Sequence, residues 1–360
     1  MRVFVWTDRT EAAGNSYYRM SGPLTEAAHQ GLIASWTASP DLDSPALAAA
    51  DVMWAPSVAN PAVVEALATR GHAGERVVVV EHDDDLLNVR PDNPFFIGGD
   101  PDYEAYQRDW APAAVAAMDL ADLVIVSVPR LREVYQQRTS TPVVVVPNTV
   151  DAVLLEVPQS IRRPGERLRA GWGGSSSHGA DWRLQARRVR AGLEAADARL
   201  AIMGHDYRSE LAYPDAVCTP WSNRIEDYYL WISRQHVVVA PLADDEFNRA
   251  KSPLKALEAG ALGIPVVASD AGPYADFVRH GETGFLCRTA DDWAEALRTL
   301  EADEDARLAM GAAGRAQAAT LTTQEWAPVW VGHLREALGR RQLQAHHAEH
   351  DEADRGGLDR

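Results

Sequence analysis

Short runs of apolar, often β-branched residues alternate with helical segments along this chain, and the alternation restarts near its middle. Strands that are apolar along their whole length are typical of parallel sheets covered by helices on both faces. The pattern therefore predicts two α/β domains. The predicted strands are Val3–Trp6, Leu32–Thr37, Val52–Ala55, Val77–Val80, Leu123–Val126 and Val143–Val146 in the first half, and Leu168–Trp172, Leu200–Met203, Val237–Ala240 and Val266–Ala268 in the second.

Two regions indicate where the domains begin and end: the segment that joins the two halves, and the last residues of the chain. Two prolines and a glycine between residues 157 and 167 favour a hinge. We therefore expect a first Rossmann-like domain over residues 1–156 and a second over residues 157–323. A final helix is predicted over residues 324–340, where apolar residues recur at helical spacing, and the polar residues 341–360 are expected to be disordered.

The charge of the chain argues against nucleic acid as its main partner. The 360 residues carry a net charge of −17 at pH 7, and residues 1–150 contain 10 arginines, no lysine and 20 acidic residues. A surface this acidic repels phosphate backbones at long range. The sequence shows no signal peptide, no apolar run near the roughly 20 residues that cross a bilayer, and no zinc-like cysteine spacing. We expect a cytoplasmic protein with no transmembrane segment, and peripheral membrane contact stays open.

The most informative segment is residues 248–269, with the sequence NRAKSPLKALEAGALGIPVVAS. Ser252 is a good N-cap residue, and Pro253 is of the type favoured at the first helical position. Gly263 supplies the left-handed conformation that commonly ends a helix. The segment therefore predicts a helix over Pro253–Leu262 that leads into the next strand.

Two lysines flank the start of this helix. Lys251 precedes the cap and Lys255 lies in the first turn, where the helix dipole disfavours cations. They are the only lysines in the chain, against 33 arginines. Two cations at a helix N-terminus are explained if an anion binds there, and a diphosphate is the natural candidate. The alternative is a cationic helix face exposed to water. Glu258, about one turn beyond Lys255, is placed either to bind ribose hydroxyls or to form a surface pair with Lys255.

This segment, followed by Gly272-Pro273 and Gly281–Leu286, resembles the donor-binding domain of family-4-type GT-B glycosyltransferases. The resemblance is dense over residues 237–287 and thin over residues 1–140. It implies an α/β fold of the GT-B type, with two Rossmann-like domains, a central cleft, and a C-terminal helix that crosses back to pack on the first domain.

The resemblance also implies roles for residues of the segment. Glu258 corresponds to the glutamate that binds the nucleotide ribose in this family. The loop and helix start that hold the diphosphate and the sugar correspond to Lys251, Ser252, Pro253 and Leu254, with Lys255 beside them.

The segment departs from the family at one position. The family commonly has a second glutamate eight positions before the ribose-binding one, where this chain has Ala250. Because that glutamate contacts the donor sugar, the resemblance does not fix which sugar is transferred. Asp245, Glu246 and Asn248 are candidate replacements, and Asn248 is included among the expected donor-binding residues.

Further candidates for the donor site lie in loops. Gly174 and Ser175 follow a predicted strand, in a loop whose backbone N–H groups can approach a phosphate. His178 either donates to a phosphate or caps the next helix. Trp221 lies about where GT-B enzymes hold the base, and is interpreted either as a stacking residue or as a buried one. The resemblance places Gly14, after the first strand, under the donor phosphates.

The acidic run Glu81–Asp85 leaves a predicted strand at its carboxyl end, where α/β proteins bind ligands. As a DxD-like cluster it would bind a divalent ion, as in GT-A glycosyltransferases. As a GT-B first-domain loop it would face the acceptor, with Asp83 or Asp84 orienting a hydroxyl. The two-domain pattern favours the second interpretation, so no metal is expected.

Our hypothesis is a hexosyltransferase that moves a sugar from a nucleoside diphosphate sugar to a hydroxyl acceptor, which is a glycan, a lipid-linked acceptor or a small molecule. The resemblance implies retention of configuration, and the lysines with the helix dipole make a metal unnecessary. Asp83, Asp84 and Lys251 are the catalytic candidates, and no cofactor is expected besides the donor. Two alternatives stay open: a UDP-sugar epimerase or hydrolase of the same architecture, and a sugar-nucleotide-binding protein without transfer activity.

Overall fold

The computed structural model describes residues 1–7, 14–72, 75–96 and 101–357, the last range with side chains to residue 346. Its strands form two six-stranded sheets, and paired strands run parallel throughout. The strands are β1 (Arg2–Trp6), β2 (Ser35–Ser39), β3 (Val52–Pro56), β4 (Val77–His82), β5 (Leu123–Val126) and β6 (Val143–Val145) in the first sheet, and β7 (Arg169–Gly174), β8 (Arg199–Gly204), β9 (Ala216–Thr219), β10 (Val237–Ala240), β11 (Val266–Ser269) and β12 (Gly284–Cys287) in the second.

Strand order creates one crevice in each sheet. The first sheet has the order β2-β1-β3-β4-β5-β6, and the second has the order β12-β11-β10-β7-β8-β9. The order reverses at β1 and β3 in the first sheet and at β7 and β10 in the second. Ligands of open α/β sheets bind at such reversal points, beyond the carboxyl ends of the strands. The predicted α/β fold with two Rossmann-like domains is confirmed.

Helices cover both sheets, and several end or continue in short irregular turns. Three π-helical turns follow α-helical segments, at Tyr17–Ser21, Leu67–Gly71 and Tyr106–Trp110. The α-helices are α1 (Gly14–Ser16), α2 (Gly22–His29), α3 (Pro45–Ala48), α4 (Pro61–Ala66), α5 (Tyr103–Ala105), α6 (Ala111–Asp119), α7 (Pro129–Gln136), α8 (Gly179–Ala195), α9 (Arg208–Leu211), α10 (Ile225–Ile232), α11 (Glu246–Arg249), α12 (Leu254–Ala261), α13 (Pro273–Phe277), α14 (Ala290–Ala302), α15 (Glu304–Ala318) and α16 (Thr323–Gly357).

The last helix, α16, packs on the first domain. Trp330 stacks on Trp54 of β3 with ring centroids 5.0 Å apart, and Leu334 is fully buried in the same cluster. The sequence predicts that this helix ends at residue 340, but in the structure it continues to Gly357. Residues 341–355 contain alanine, glutamine, glutamate and arginine and no proline, so no helix-breaking residue precedes the glycine pair 356–357. The structure thus continues the helix through residues 341–357, and the expected disorder of the tail stays a prediction.

Strands β9 and β12 of the second domain are both missing from the strands predicted from the sequence. Strand β12 has the sequence Gly-Phe-Leu-Cys, with no β-branched residue, so it gives a weak strand signal. Helices α14 and α15, which pack against it, were not predicted either. Within the part of the chain that the structure describes, no helix combines the length and the apolar composition needed to span a bilayer.

Candidate functional site

A cleft of about 1010 Å³ opens between the carboxyl ends of the two sheets. Its walls come from the loops that follow β1 and β4 in the first domain, and from those after β7, β8, β9, β10 and β11 in the second. The cleft therefore joins the crevices of both sheets, where the topology places ligands. Of the sequence-predicted site residues it contains Gly14, Asp83, Asp84, Gly174, Ser175, His178, Trp221, Lys251, Ser252, Leu254, Lys255 and Glu258.

Both lysines line the cleft at the start of α12. The Nζ atom of Lys251 lies 4.9 Å from the centre of the Phe247 ring, and that of Lys255 lies 5.5 Å from the Trp172 ring. The first N–H groups of an α-helix have no partner within the helix, so this end adds donors to the two ammonium groups. The alternative of a solvated cationic face does not hold, because the lysines face the cleft.

The helix start differs from the sequence prediction by one residue. The cap position is taken by Pro253, which makes no side-chain capping bond and does not line the cleft. The Ser252 hydroxyl instead accepts a hydrogen bond of 2.8 Å from Asn148 Nδ2 of the first domain. Ser252 therefore links the two domains and leaves the helix end open. Gly263 has φ +68°, as expected for a left-handed helix end.

Lys255 is held by a histidine–aspartate pair. His178 Nδ1 lies 2.7 Å from Asp181 Oδ2, and His178 Nε2 lies 3.4 Å from Lys255 Nζ. Burial, with the charges of Lys255 and Lys251, lowers the pKa of His178 to about 3. A neutral ring that donates from Nδ1 to Asp181 presents an Nε2 lone pair to Lys255. His178 therefore acts as an acceptor for Lys255. It occupies the N-cap position of α8 but makes no side-chain capping bond, and its contact with a phosphate stays a prediction.

Asp181 is a contact point that the sequence patterns missed. It is 2% exposed, and its Oδ1 also accepts hydrogen bonds from the Ala243 backbone at 2.9 Å and from Asn248 Nδ2 at 2.8 Å. Burial alone would raise its pKa, but the hydrogen bond with His178, the charge of Lys251 and the Ala243 backbone N–H lower it. Asn248 thus holds Asp181 in place and lies outside the main cleft. Its position therefore does not fit the predicted contact with the sugar-nucleotide donor. The sequence signal that could have predicted the pair is the spacing of His178 and Asp181, which lie three residues apart at a helix start.

Glu258 is enclosed by tyrosines. The Tyr18 hydroxyl donates to Glu258 Oε1, and the Tyr228 hydroxyl donates to Oε2 at 2.8 Å. The Tyr229 hydroxyl in turn donates to the Tyr18 hydroxyl at 2.9 Å. Burial raises the pKa of Glu258 and raises the pKa values of the three tyrosines well above 10, so the hydroxyls stay protonated as donors. The carboxylate lies in the cleft wall with a donor on each oxygen, and it forms no exposed surface pair with Lys255.

The side of the cleft beyond Glu258 is aromatic. Trp221 is 39% exposed and lies at a tilt against Tyr228, with ring centroids 5.4 Å apart. Gly173 allows this arrangement, because a Cβ atom there would come within 2.6 Å of the Tyr228 ring. Of the two interpretations of Trp221, the exposed one fits. Its ring offers the cleft a flat surface of the kind on which a base stacks.

The first-domain wall carries the two aspartates of the acidic run. Asp83 accepts a hydrogen bond from Asn148 Nδ2 at 3.2 Å, and Asp84 lies beside it in the cleft wall. Behind them, Arg19 forms a buried ion pair of 2.7 Å with Glu81. Among the residues that the structure describes, no three His, Cys, Asp or Glu side chains are grouped closely enough to hold a metal ion.

Three ion pairs join the domains beside the cleft. Arg90 contacts Asp245 at 2.6 Å, Asp92 contacts Arg183 at 2.5 Å, and Arg130 contacts Glu246 at 3.2 Å. Asp245 and Glu246 thus pair with arginines of the first domain and do not line the cleft. Neither is placed to replace the glutamate that the family has at Ala250.

Comparisons with known proteins match the second domain most clearly. Residues 173–303 match the family model "Glycosyl transferases group 1". Over 110 residues the chain is 34% identical to the D-inositol 3-phosphate glycosyltransferase of Paenarthrobacter aurescens (strain TC1), a match that spans 30% of this chain and 26% of that protein. The chain thus matches about a quarter of the length of this curated relative.

Solved structures match nearly the whole chain. Sucrose-phosphate synthase from Thermosynechococcus elongatus superimposes with a TM-score of 0.64 at 16% identity, over 96% of this chain and 99% of that one. HepE from Anabaena, in complex with UDP and glucose, gives a TM-score of 0.63 at 16% identity, over 93% and 99%. The chain has the GT-B fold, and residues 173–303 of its second domain are similar to group 1 glycosyltransferases.

Proposed function

We propose that this GT-B protein transfers a glycosyl unit from a nucleoside diphosphate sugar to a hydroxyl acceptor. The observation that carries the proposal is the position of Lys251 and Lys255, the only lysines of the chain, at an open helix start inside the interdomain cleft. An ammonium pair beside free N–H groups suits a diphosphate. In support, the similar HepE structure contains UDP and glucose.

The donor would lie along the second-domain wall. Its diphosphate would contact the two lysines and the loop at Gly174 and Ser175, its ribose would reach Glu258, and its base would stack on Trp221. Each of these groups faces the same cleft. The arrangement leaves the sugar between the lysines and the first-domain aspartates.

In the transfer step, the bond between the anomeric carbon and the diphosphate oxygen breaks, and a bond to the acceptor oxygen forms. The lysines and the helix dipole stabilise the charge that develops on the diphosphate, so no divalent cation is needed. Asp84, with Asp83 beside it, orients the acceptor hydroxyl. Retention places this hydroxyl on the side from which the diphosphate leaves, so that its proton passes to the departing phosphate oxygen.

The proposal is tested by a panel of UDP-, GDP-, ADP- and dTDP-sugars, read first by thermal shift and then by product analysis with and without EDTA. We expect one nucleotide class to stabilise the protein, a loss of that shift in Lys251→Ala, and sugar moved to an acceptor in the presence of EDTA. A free epimerised sugar, or binding with no turnover of any donor, would show that a different function is correct.

A further inference from the structure

The hydrogen bond between Tyr18 and Glu258 joins the two domains at the position expected to bind ribose. Tyr18 follows β1 of the first domain, and Glu258 lies in α12 of the second. Both residues border the cleft, yet each is only 3% exposed. The Glu258 carboxylate therefore lies beside the ligand space but is closed off from it.

The two tyrosines on Glu258 differ in how they are held. Tyr228 belongs to the same domain as Glu258 and packs against Gly173 and Trp221. Tyr18 belongs to the opposite domain, so a change in domain separation alone can remove its hydroxyl from the carboxylate. When that happens, Glu258 Oε1 loses its tyrosine donor, and the loss of a partner by a buried carboxylate is costly. A second O–H donor at the position left by the Tyr18 hydroxyl would restore the lost hydrogen bond to Glu258 Oε1.

A ribose hydroxyl supplies the same chemistry as the Tyr18 hydroxyl, because each is a neutral O–H donor to a carboxylate oxygen. We propose that Tyr18 occupies the ribose position on Glu258 and that the nucleotide displaces its hydroxyl. Tyr18 is thus a first-domain residue that determines the affinity for ribose-bearing ligands. This inference rests on the function proposed above.

The test compares UDP and GDP with their 2′,3′-dideoxy analogues by isothermal titration calorimetry. Tyr18→Phe removes the competing hydroxyl. We expect it to bind the ribose nucleotide that fits about tenfold more tightly than the original protein, or about 1.4 kcal/mol. The dideoxy analogue cannot replace the tyrosine, so its affinity should not rise. Glu258→Gln should lose much of the preference for ribose over dideoxyribose.

Tyr213→Phe is the matched control. Tyr213 is also buried, but its hydroxyl donates to Ala198 O at 2.6 Å, within the second domain and outside the cleft lining. Its loss should leave both affinities unchanged. An unchanged or weaker ribose affinity in Tyr18→Phe, or an equal gain for the dideoxy analogue, overturns the inference. Failure of UDP, GDP, ADP and dTDP alike to bind the original protein would instead contradict the proposed function, and the inference with it.

A second measurement does not depend on Tyr18→Phe being folded. With 3-fluorotyrosine at position 18, the ¹⁹F resonance should move when the ribose nucleotide binds, because the hydroxyl leaves the buried carboxylate. The dideoxy analogue at saturation should move it much less. A resonance that responds equally to both ligands, or to neither, shows that ribose and Tyr18 do not share the position.

Discussion

Replacement of Lys255 by methionine should weaken nucleotide binding and stabilise the unliganded protein. Burial and the charge of Lys251 lower the pKa of Lys255 from its ordinary value of 10.5 to about 8. Such a change corresponds to about 3 kcal/mol for keeping the ammonium charged in the folded protein. Since the side chain keeps contact with water in the cleft, we expect Lys255→Met to gain about 1 to 2 kcal/mol in the free energy of unfolding at pH 7.

The effect on nucleotide binding has the opposite sign. A hydrogen bond from an ammonium to a phosphate oxygen contributes about 1.5 to 3 kcal/mol, and methionine of similar length cannot form it. The dissociation constant for the nucleoside diphosphate should therefore rise by a factor of roughly 10 to 150.

Urea unfolding without ligand and isothermal titration calorimetry with UDP or GDP measure the two effects on the same variant. Arg279→Met is the control, because Arg279 is an exposed cation paired with Glu282 at 3.0 Å on the second domain. It should change neither quantity by much. A Lys255→Met protein that is less stable and binds the nucleotide as tightly as the original would refute the reasoning.

Two further predictions concern pH and the acceptor side. Because the free protein loses the Lys255 proton at about pH 8, the dissociation constant of the nucleotide should increase above that pH, approaching tenfold per pH unit, and Lys255→Met should lack this increase. The free energy of unfolding should instead increase with pH. Between about pH 8 and 10.5 the unfolded chain binds more protons than the folded protein, so the cost of burying the Lys255 ammonium is relieved as the pH rises. Urea unfolding of the original protein and of Lys255→Met over this pH range checks the increase. Asp84→Asn should lower the transfer rate by about 100-fold or more and leave the nucleotide affinity unchanged. The control Asp109→Asn, at an exposed ion pair with Arg108, should alter neither quantity. Equal loss of binding and rate in Asp84→Asn would contradict the placement of Asp84 at the acceptor.

The local signals in the sequence were sufficient for the fold and for one wall of the site. Alternating apolar runs predicted ten of the strands, and the cap, lysine and glycine spacing around α12 predicted a helix start that the structure places in the cleft. These features are encoded within about 15 neighbouring residues, so a periodicity or a dipole argument can reach them. The donor roles assigned to these residues stay predictions.

The side chains that contact Glu258 and Lys255 could not be predicted from local sequence patterns. Tyr18 lies 240 residues from Glu258 along the chain, and no spacing rule links them. Asn248 was a candidate replacement for the glutamate that the family has at the position of Ala250, but tertiary packing turns its amide toward Asp181. Ser252 has the residue type of a helix cap, and a partner from the other domain competes for its hydroxyl. In each case a long-range partner decides the role of a polar side chain.

The central claim is that the start of α12, with Lys251 and Lys255, binds the diphosphate of a nucleotide. A crystal structure of the protein with bound UDP or GDP tests it most directly. We expect phosphate oxygens within hydrogen-bond distance, about 3 Å, of Lys255 Nζ and of the first backbone N–H groups of α12. A nucleotide bound with its diphosphate away from both lysines would contradict the claim.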